Sequence, residues 1–305
     1  MDTSPATPAA LPARRWLNVV KRTWAEASDD HIELIAAGVA FYGFLALVPL
    51  LAALVLAYGL LVDPAEVAKH MHAVTMMVPA DAAHVIDDQL DQVVKTAATK
   101  KGFGLLLALI LALYGAMKGA GAVVTALNVA FEVRETRGFV RTTLLNAAIT
   151  IGAVLVAIGA LLAASVTGFA QDLAAHWSPL AAIAVKYASW VAAAALASTA
   201  IAVLFRFAPD RPKTTWVWLT PGSIAATIGW IGMTVLFGVY AAKLGNYNAT
   251  YGALGAVVVL LMWLYLSAYI LLLAAELNSE LAREAASAAE EPQGHLSRER
   301  EVARG

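Results

Sequence analysis

The sequence predicts an all-α, polytopic membrane protein: six transmembrane helices, an outer helical hairpin and an N-terminal interfacial amphipathic helix. Composition is the first observation behind this. Across 305 residues, 60% are hydrophobic, 14% are charged and mean hydropathy is +0.70, whereas soluble domains carry about 25% charged residues. Pattern is the second. Six apolar stretches, 34–62, 103–131, 144–169, 180–205, 216–240 and 252–275, each reach the roughly 20 residues needed to cross a hydrocarbon core. Barrel strands would alternate in segments of about 10 residues, and these stretches do not. Charge placement is the third. Putting the N-terminus in the cytoplasm places 14 of the 21 basic residues on the inner side, as the positive-inside rule requires. Both termini are therefore expected in the cytoplasm.

Three regions follow: a cytoplasmic segment 1–33, a transmembrane domain 34–276 and a cytoplasmic tail 277–305. The first residues are polar and lack the apolar core of a cleavable signal peptide. In "ARRWLNVVKRTWAEA", Trp16, Val20 and Trp24 share a helical stripe beside Arg14, Arg15, Lys21 and Arg22. That pattern suits a helix in the membrane interface, its cations near anionic head groups. Asp30 and Glu33 have capping-box spacing at the start of the first span. In the outer loop 63–102, Asp63-Pro64 starts a helix and Val78-Pro79 breaks it. Ile86, Leu90, Val93 and Ala97 then recur at helical spacing, which predicts a hairpin capping the bundle. The tail after Arg283, rich in Ala, Glu and Arg, is expected to be largely disordered.

Polar groups inside spans are costly, so their pattern is informative. Tyr114, Lys118, Gly121, Thr125 and Asn128 fall on one face of the second span. The fifth span aligns Ser223, Thr227, Trp230, Thr234 and Gly238; the sixth aligns Tyr251, Gly255, Met262, Tyr265, Tyr269 and Glu276. These faces are expected to turn toward a shared interior, with Tyr114, Lys118, Thr125, Asn128, Thr227, Thr234, Tyr251, Tyr265 and Tyr269 lining a substrate path. The competing reading is packing: small residues and hydroxyls such as Gly115-xxx-Gly119 let helices touch. Lys118 lies mid-span with no carboxylate at its depth, so an anionic ligand in a wet cavity would suit it. Glu276, Asn278, Arg137 and Asn128, all expected at the inner surface, are read as one polar cluster.

No catalytic pattern is legible. The six histidines include an H-x-H at His70 and His72, but nothing downstream completes a two-metal hydrolase site. There is no cysteine, no G-x-S-x-G elbow and no phosphate-cradling P-loop. Neither a cofactor nor a metal is expected. Net charge is −1, without the basic face of a nucleic-acid binder.

Several motifs resemble a known family. Phe41-Tyr42, Pro49, Asn128, Arg137, Pro221-Gly222, Tyr247-Asn248-Ala249-Thr250-Tyr251-Gly252 and Glu276-Leu277-Asn278 stand where the YihY/virulence factor BrkB family has its marks. The resemblance covers roughly residues 15–283, and Ala46 departs from it where relatives often carry Ser. It implies six helices and the bacterial inner membrane. It also implies a transporter or exporter of lipid-like or anionic envelope material. The alternative is a non-transporting scaffold for envelope biogenesis. The ribonuclease BN label once attached to the family finds no chemistry in these residues, and the expected protein is not an enzyme. Membrane lipids and a second copy of the chain are the expected partners.

Overall fold

The computed structural model describes residues 13–58, 103–211, 220–243 and 253–302, together with Ala83, Ile86 and Asp88. Every regular element among them is a helix: α1 (Ala13–Asp29), α2 (Ile32–Tyr58), α3 (Phe103–Ala130), α4 (Phe139–Trp177), α5 (Pro179–Phe207), α6 (Pro221–Lys243) and α7 (Ala253–Val302). Six of them, α2 to α7, are long and apolar enough to cross a membrane, with spans Ile32–Ala57, Leu106–Ala130, Phe139–Ala160, Ile183–Phe207, Pro221–Tyr240 and Gly255–Ser287. The all-helical, six-span expectation is met. Much of the outer hairpin and the motif Tyr247 to Gly252 lie outside the described residues. Ala83, Ile86 and Asp88 are helical, and Ile86 is buried against Leu51, Leu54, Ala112, Val154 and Leu260.

Helix ends differ from expectation where local chemistry overrides composition. Asp30 does not cap α2. His31 takes a left-handed φ of 52°, and its carbonyl accepts from the amides of Leu34 and Ile35. The chain thus bends sharply from α1 into α2. At the end of α3, Glu132 also has a left-handed φ, 51°. The Glu132 amide donates to the Val129 carbonyl and the Val133 amide to Asn128, the paired bonds of a Schellman ending. Glycine is the usual residue there; the Glu132 carboxylate earns its place through an ion pair with Arg283. The stretch between the expected spans 144–169 and 180–205 is nearly all helix. α4 runs to Trp177, and Ser178 caps α5 by accepting from the Ala181 amide at 3.1 Å.

The largest correction concerns α7. A carboxylate at Glu276 does not end it, and the tail expected to be disordered continues the same helix, 50 residues in all. At 1.5 Å per residue the helix is about 75 Å long, well beyond the bilayer core. Its extension has a packing partner, α1, so the chain beyond Glu276 stays helical at least as far as the two touch.

Two apolar cores hold the bundle. One, at the α1 end, gathers Ile32, Ala36, Val124, Leu127, Phe131, Phe205 and Leu272. The other holds Leu51, Leu54, Val55, Ile86, Val154, Ile158 and Leu260. α2 and α3 approach closely through Gly115 and Gly119. A Cβ on Gly115 would lie 2.9 Å from Pro49, and one on Gly119 2.8 Å from the Ala46 Cβ. The small-xxx-small pair is therefore a packing device, and Ala46 is the surface it packs on. α6 meets α7 more tightly still. A Cβ on Gly222 would run into the Ala274 carbonyl oxygen.

This contact gives the first test. Gly222→Ala should lower the thermal midpoint in detergent, at a cost of about 1–3 kcal/mol typical of overpacking. Gly38→Ala, with nothing within 4 Å of its new Cβ, should leave the midpoint unchanged or raise it, because Ala favours helix by about 0.8–1 kcal/mol.

Candidate functional site

The polar residues collect at the α1 end of the bundle, but not in one cluster. The expected grouping of Arg137, Asn128, Glu276 and Asn278 divides into three networks, and among the described residues Arg137 and Glu276 share no ion pair.

The first network clamps the α3–α4 loop to the end of α5. Asn128, buried near the end of α3, donates through Nδ2 to Glu135 at 2.9 Å and accepts through Oδ1 from the Asp210 amide at 2.8 Å. Glu135 receives a two-pronged bond from Arg137, Nε at 2.7 Å and Nη2 at 2.6 Å. The same guanidinium donates to the Ala208 carbonyl at 2.8 Å. Asp210 accepts from the amide and hydroxyl of Thr136 at 2.7 and 2.5 Å. Arg211 lies 4.0 Å above the Phe131 ring, and Phe131 meets Phe205 edge-on. The Arg137 bond holds the Glu135 carboxyl below its usual range, and the Thr136 bonds do the same for Asp210. Asn128 and Arg137 are thus structural keys to this loop. Their partners Glu135 and Asp210 were missed in the sequence, although "RETR" and "APDR" set acids beside bases in two short loops.

The second network seats α6 on α7. Thr220 and Ser223 cap the start of α6 reciprocally: the Thr220 amide donates to Ser223 Oγ at 3.0 Å, and the Ser223 amide to Thr220 Oγ1 at 3.1 Å. Pro221 occupies the first helical position, where no amide is needed. Asn278 accepts from the Gly222 amide and donates to Thr220 Oγ1, both at 2.9 Å. Ser198 reaches Ser223 Oγ at 3.1 Å, which ties in α5.

The third network joins α1 and the start of α2 to α7. Arg22 bridges Glu280 at 2.9 Å and Glu284 at 2.6 Å. Arg283 bridges Glu280 at 2.7 Å and Glu26 at 3.3 Å, and also pairs with Glu132. Glu276 is 1% exposed. It lies against Asp30, and its Oε1 has no hydrogen-bond partner. α1 therefore turns Val19, Thr23 and Ala27 inward and leaves Leu17, Val20 and Trp24 exposed. Arg15 and Arg22, expected at lipid head groups, pair with acids of α7.

Among the described residues, those expected to line the path do not enclose an interior. Tyr114, Lys118 and Thr125 stand on the exposed face of α3, because the opposite face, with Ala112, Ala116 and Val124, fills the cores. Thr125 donates to the carbonyl of Gly121, and buried Thr227 donates to that of Ser223. Thr234 accepts from the Trp263 indole at 3.4 Å, while the Trp230 indole donates to Ser267 at 3.1 Å. The Thr234 and Ser267 hydroxyls are packing contacts between α6 and α7, whereas those of Thr125 and Thr227 bond back to their own helices. Tyr265 and Tyr269 stack, with ring centroids 6.3 Å apart, against the α1-end core. Tyr251 lies outside the described residues. Phe41 and Tyr42 are exposed on α2. The Tyr42 carbonyl lies 3.6 Å from the position of a Gly119 Cβ, so this pair sits at the depth of Lys118. Among the described residues no group of three or more His, Asp or Glu could hold a metal.

A family profile described as "Virulence factor BrkB" matches residues 23–300. The putative ribonuclease-like protein YfkH of Bacillus subtilis is 30% identical over 67% of this chain and 74% of its own. A UPF0761 membrane protein of Paraburkholderia xenovorans is 27% identical over 84% of this chain, and one of Rhodospirillum centenum 30% over 93%. The chain spans only 58% and 62% of those two relatives' lengths. No solved structure matches it.

The loop clamp yields two expected outcomes. Arg137→Ala should speed amide hydrogen exchange across residues 131–138 by about ten- to a hundredfold, the equivalent of about 1.5–3 kcal/mol for a charge-assisted bond. Because the Glu135 and Asp210 carboxyls are held low, their stabilisation is complete above the ordinary carboxylate range and is lost as pH falls through the depressed values. A thermal midpoint that falls less steeply in acid for Glu135→Gln than for the unaltered protein checks the sign.

Proposed function

We propose that this chain, which belongs to the virulence factor BrkB family, is a membrane carrier of an amphiphilic anion, and that Lys118 receives the anionic group. One observation carries the reading: Lys118 is exposed midway along the Leu106–Ala130 span. A charged group at that depth costs about 2.5–3.5 kcal/mol on insertion scales. Among the described residues it has no ion pair to offset this. Tyr114 and Thr125 share its face, and the exposed Phe41-Tyr42 pair stands at its depth. A lipid with an anionic head group, entering sideways from the bilayer, supplies both the charge for the ammonium and apolar chains for the surrounding surface. The reading includes no catalysis. It places the protein in the bacterial inner membrane with both termini in the cytoplasm, as its basic residues favour.

A second reading has support in the same exposed face. A second copy of the chain could cover Tyr114, Lys118 and Thr125, making the protein a scaffold.

The probe is a fluorescent phosphatidylglycerol in proteoliposomes, its transfer between leaflets read by quencher access. The unaltered protein should accelerate transfer over protein-free vesicles. Lys118→Met should cut the acceleration at least tenfold with an unchanged thermal midpoint, and Lys118→Arg should retain most of it. Transfer unaffected by Lys118→Met would end the carrier reading. Because the sequence has no cysteine, Lys118→Cys gives a single thiol. Efficient crosslinking of two copies through it would favour the scaffold.

A further inference from the structure

We propose that Asp30 and Glu276 form a carboxyl pair that binds one proton between them, a proton site at the junction of α1, α2 and α7. The site is independent of what the protein carries.

Geometry supplies the argument. Glu276 is 1% exposed, and its carboxyl lies beside that of Asp30. Asp30 Oδ2 and Glu276 Oε1 are both buried and without a hydrogen-bond partner. Two facing carboxylates offer only acceptors, so neither oxygen can satisfy the other while both are ionised. One proton turns one acid into a donor and resolves both deficits. Neighbouring buried like charges disfavour joint ionisation, so the pair titrates as a unit.

The surrounding charges do not remove the need for that proton. From α1, Glu26 adds another negative charge, and Asp29 at its end adds a further one. Glu280, one turn along α7 and 2% exposed, takes up Arg22 and shares Arg283 with Glu26 and Glu132. Arg22 is further occupied by Glu284. Arg283 acts on Asp30 as a nearby charge, but its hydrogen bonds go to Glu26 and Glu280. Burial first, then the Glu26 charge, raises the Asp30 carboxyl above its usual range. With no group of three or more metal-ligating side chains among the described residues, a proton fits this site better than a metal cation.

The position gives the proton a consequence. Asp30 sits in the bend next to left-handed His31, so it belongs to the elbow between α1 and α2, while Glu276 belongs to α7. Losing the proton sets two negative charges against each other across that joint. The folded protein therefore binds more protons here than the unfolded chain. This contribution to stability is present at low pH and is lost as pH rises through the raised titration of Asp30.

The test uses the full chain in lipid nanodiscs and infrared spectroscopy of protonated carboxyl groups in H2O and D2O. At neutral pH the unaltered protein should show a protonated-carboxyl band that shifts on deuteration. Glu276→Gln should remove it, Asp30→Asn should shift its frequency, and Glu135→Gln should do neither. No band at neutral pH, or a band indifferent to Glu276→Gln, would overturn the proposal. So would a band that Glu276→Gln removes and Asp30→Asn leaves unmoved, since that describes a lone buried acid. Thermal unfolding gives a second readout. The unaltered midpoint should fall more steeply with rising pH than that of Glu276→Gln. A midpoint raised several degrees by Na+, Mg2+ or Ca2+, and not in Glu276→Gln, would mean that a cation fills the pair and would also sink it.

Discussion

The stretch of α7 from Ala274 to Glu284 is the surface against which the α1 end of the bundle is built. Successive positions on a helix point about 100° apart, so neighbouring residues serve different partners. Ala274 and Asn278 face α6, where the absence of a side chain at Gly222 lets the backbones nearly touch. Glu276 and Glu280 face α1 and the bend into α2. Arg283 reaches back to Glu132 at the end of α3. Were α7 to stop at Glu276, α1 would lose its ion-pair partners and α6 would lose the side chain that seats its first turn.

A physical rule unites these networks. In an apolar bundle each polar group must find a partner inside the protein, because lipid offers none. Hydroxyls within the spans meet the rule on their own helix or on the next: Thr227 and Ser267 bond to backbone, Thr234 to an indole. Such contacts contribute about 0.6 kcal/mol each and need no cavity. Loop charges meet it by pairing across loops, as Asn128, Glu135, Arg137 and Asp210 do. Lys118 and the Asp30–Glu276 pair do not meet it among the described residues. For that reason one draws the reading of an anionic ligand and the other that of a bound proton.

Left-handed residues sharpen the point. Non-glycine residues reach such φ values at a cost of roughly 1–2 kcal/mol. His31 and Glu132 both do so, at the two corners beside the α1–α7 joint. At Glu132 the side chain gives a reason, its pair with Arg283. At His31 no side-chain contact among the described residues explains the choice.

Composition and periodicity alone determined the class of the protein, the number of spans and their approximate positions, although the third span ends earlier than expected and the sixth runs on past Glu276. Transfer of apolar surface out of water depends on amount and continuity, and both can be counted along the chain. The packing role of Gly115 and Gly119 was legible for a similar reason, since small residues spaced by four lie on one helical face. Facing direction was not legible. Tyr114, Lys118 and Thr125 form a stripe in the sequence, but a stripe does not say whether it turns toward neighbours or away. The choice fell to the apolar face opposite, which packs on α2. Partner choice among the charges was likewise a tertiary matter. Arg137 and Glu276 lie at the same end of the bundle, but Arg137 has Glu135 two residues away and Asp210 on the adjoining loop, and ion pairs are settled over a few ångströms. The length of α7 was decided in the same way, by α1 lying against it.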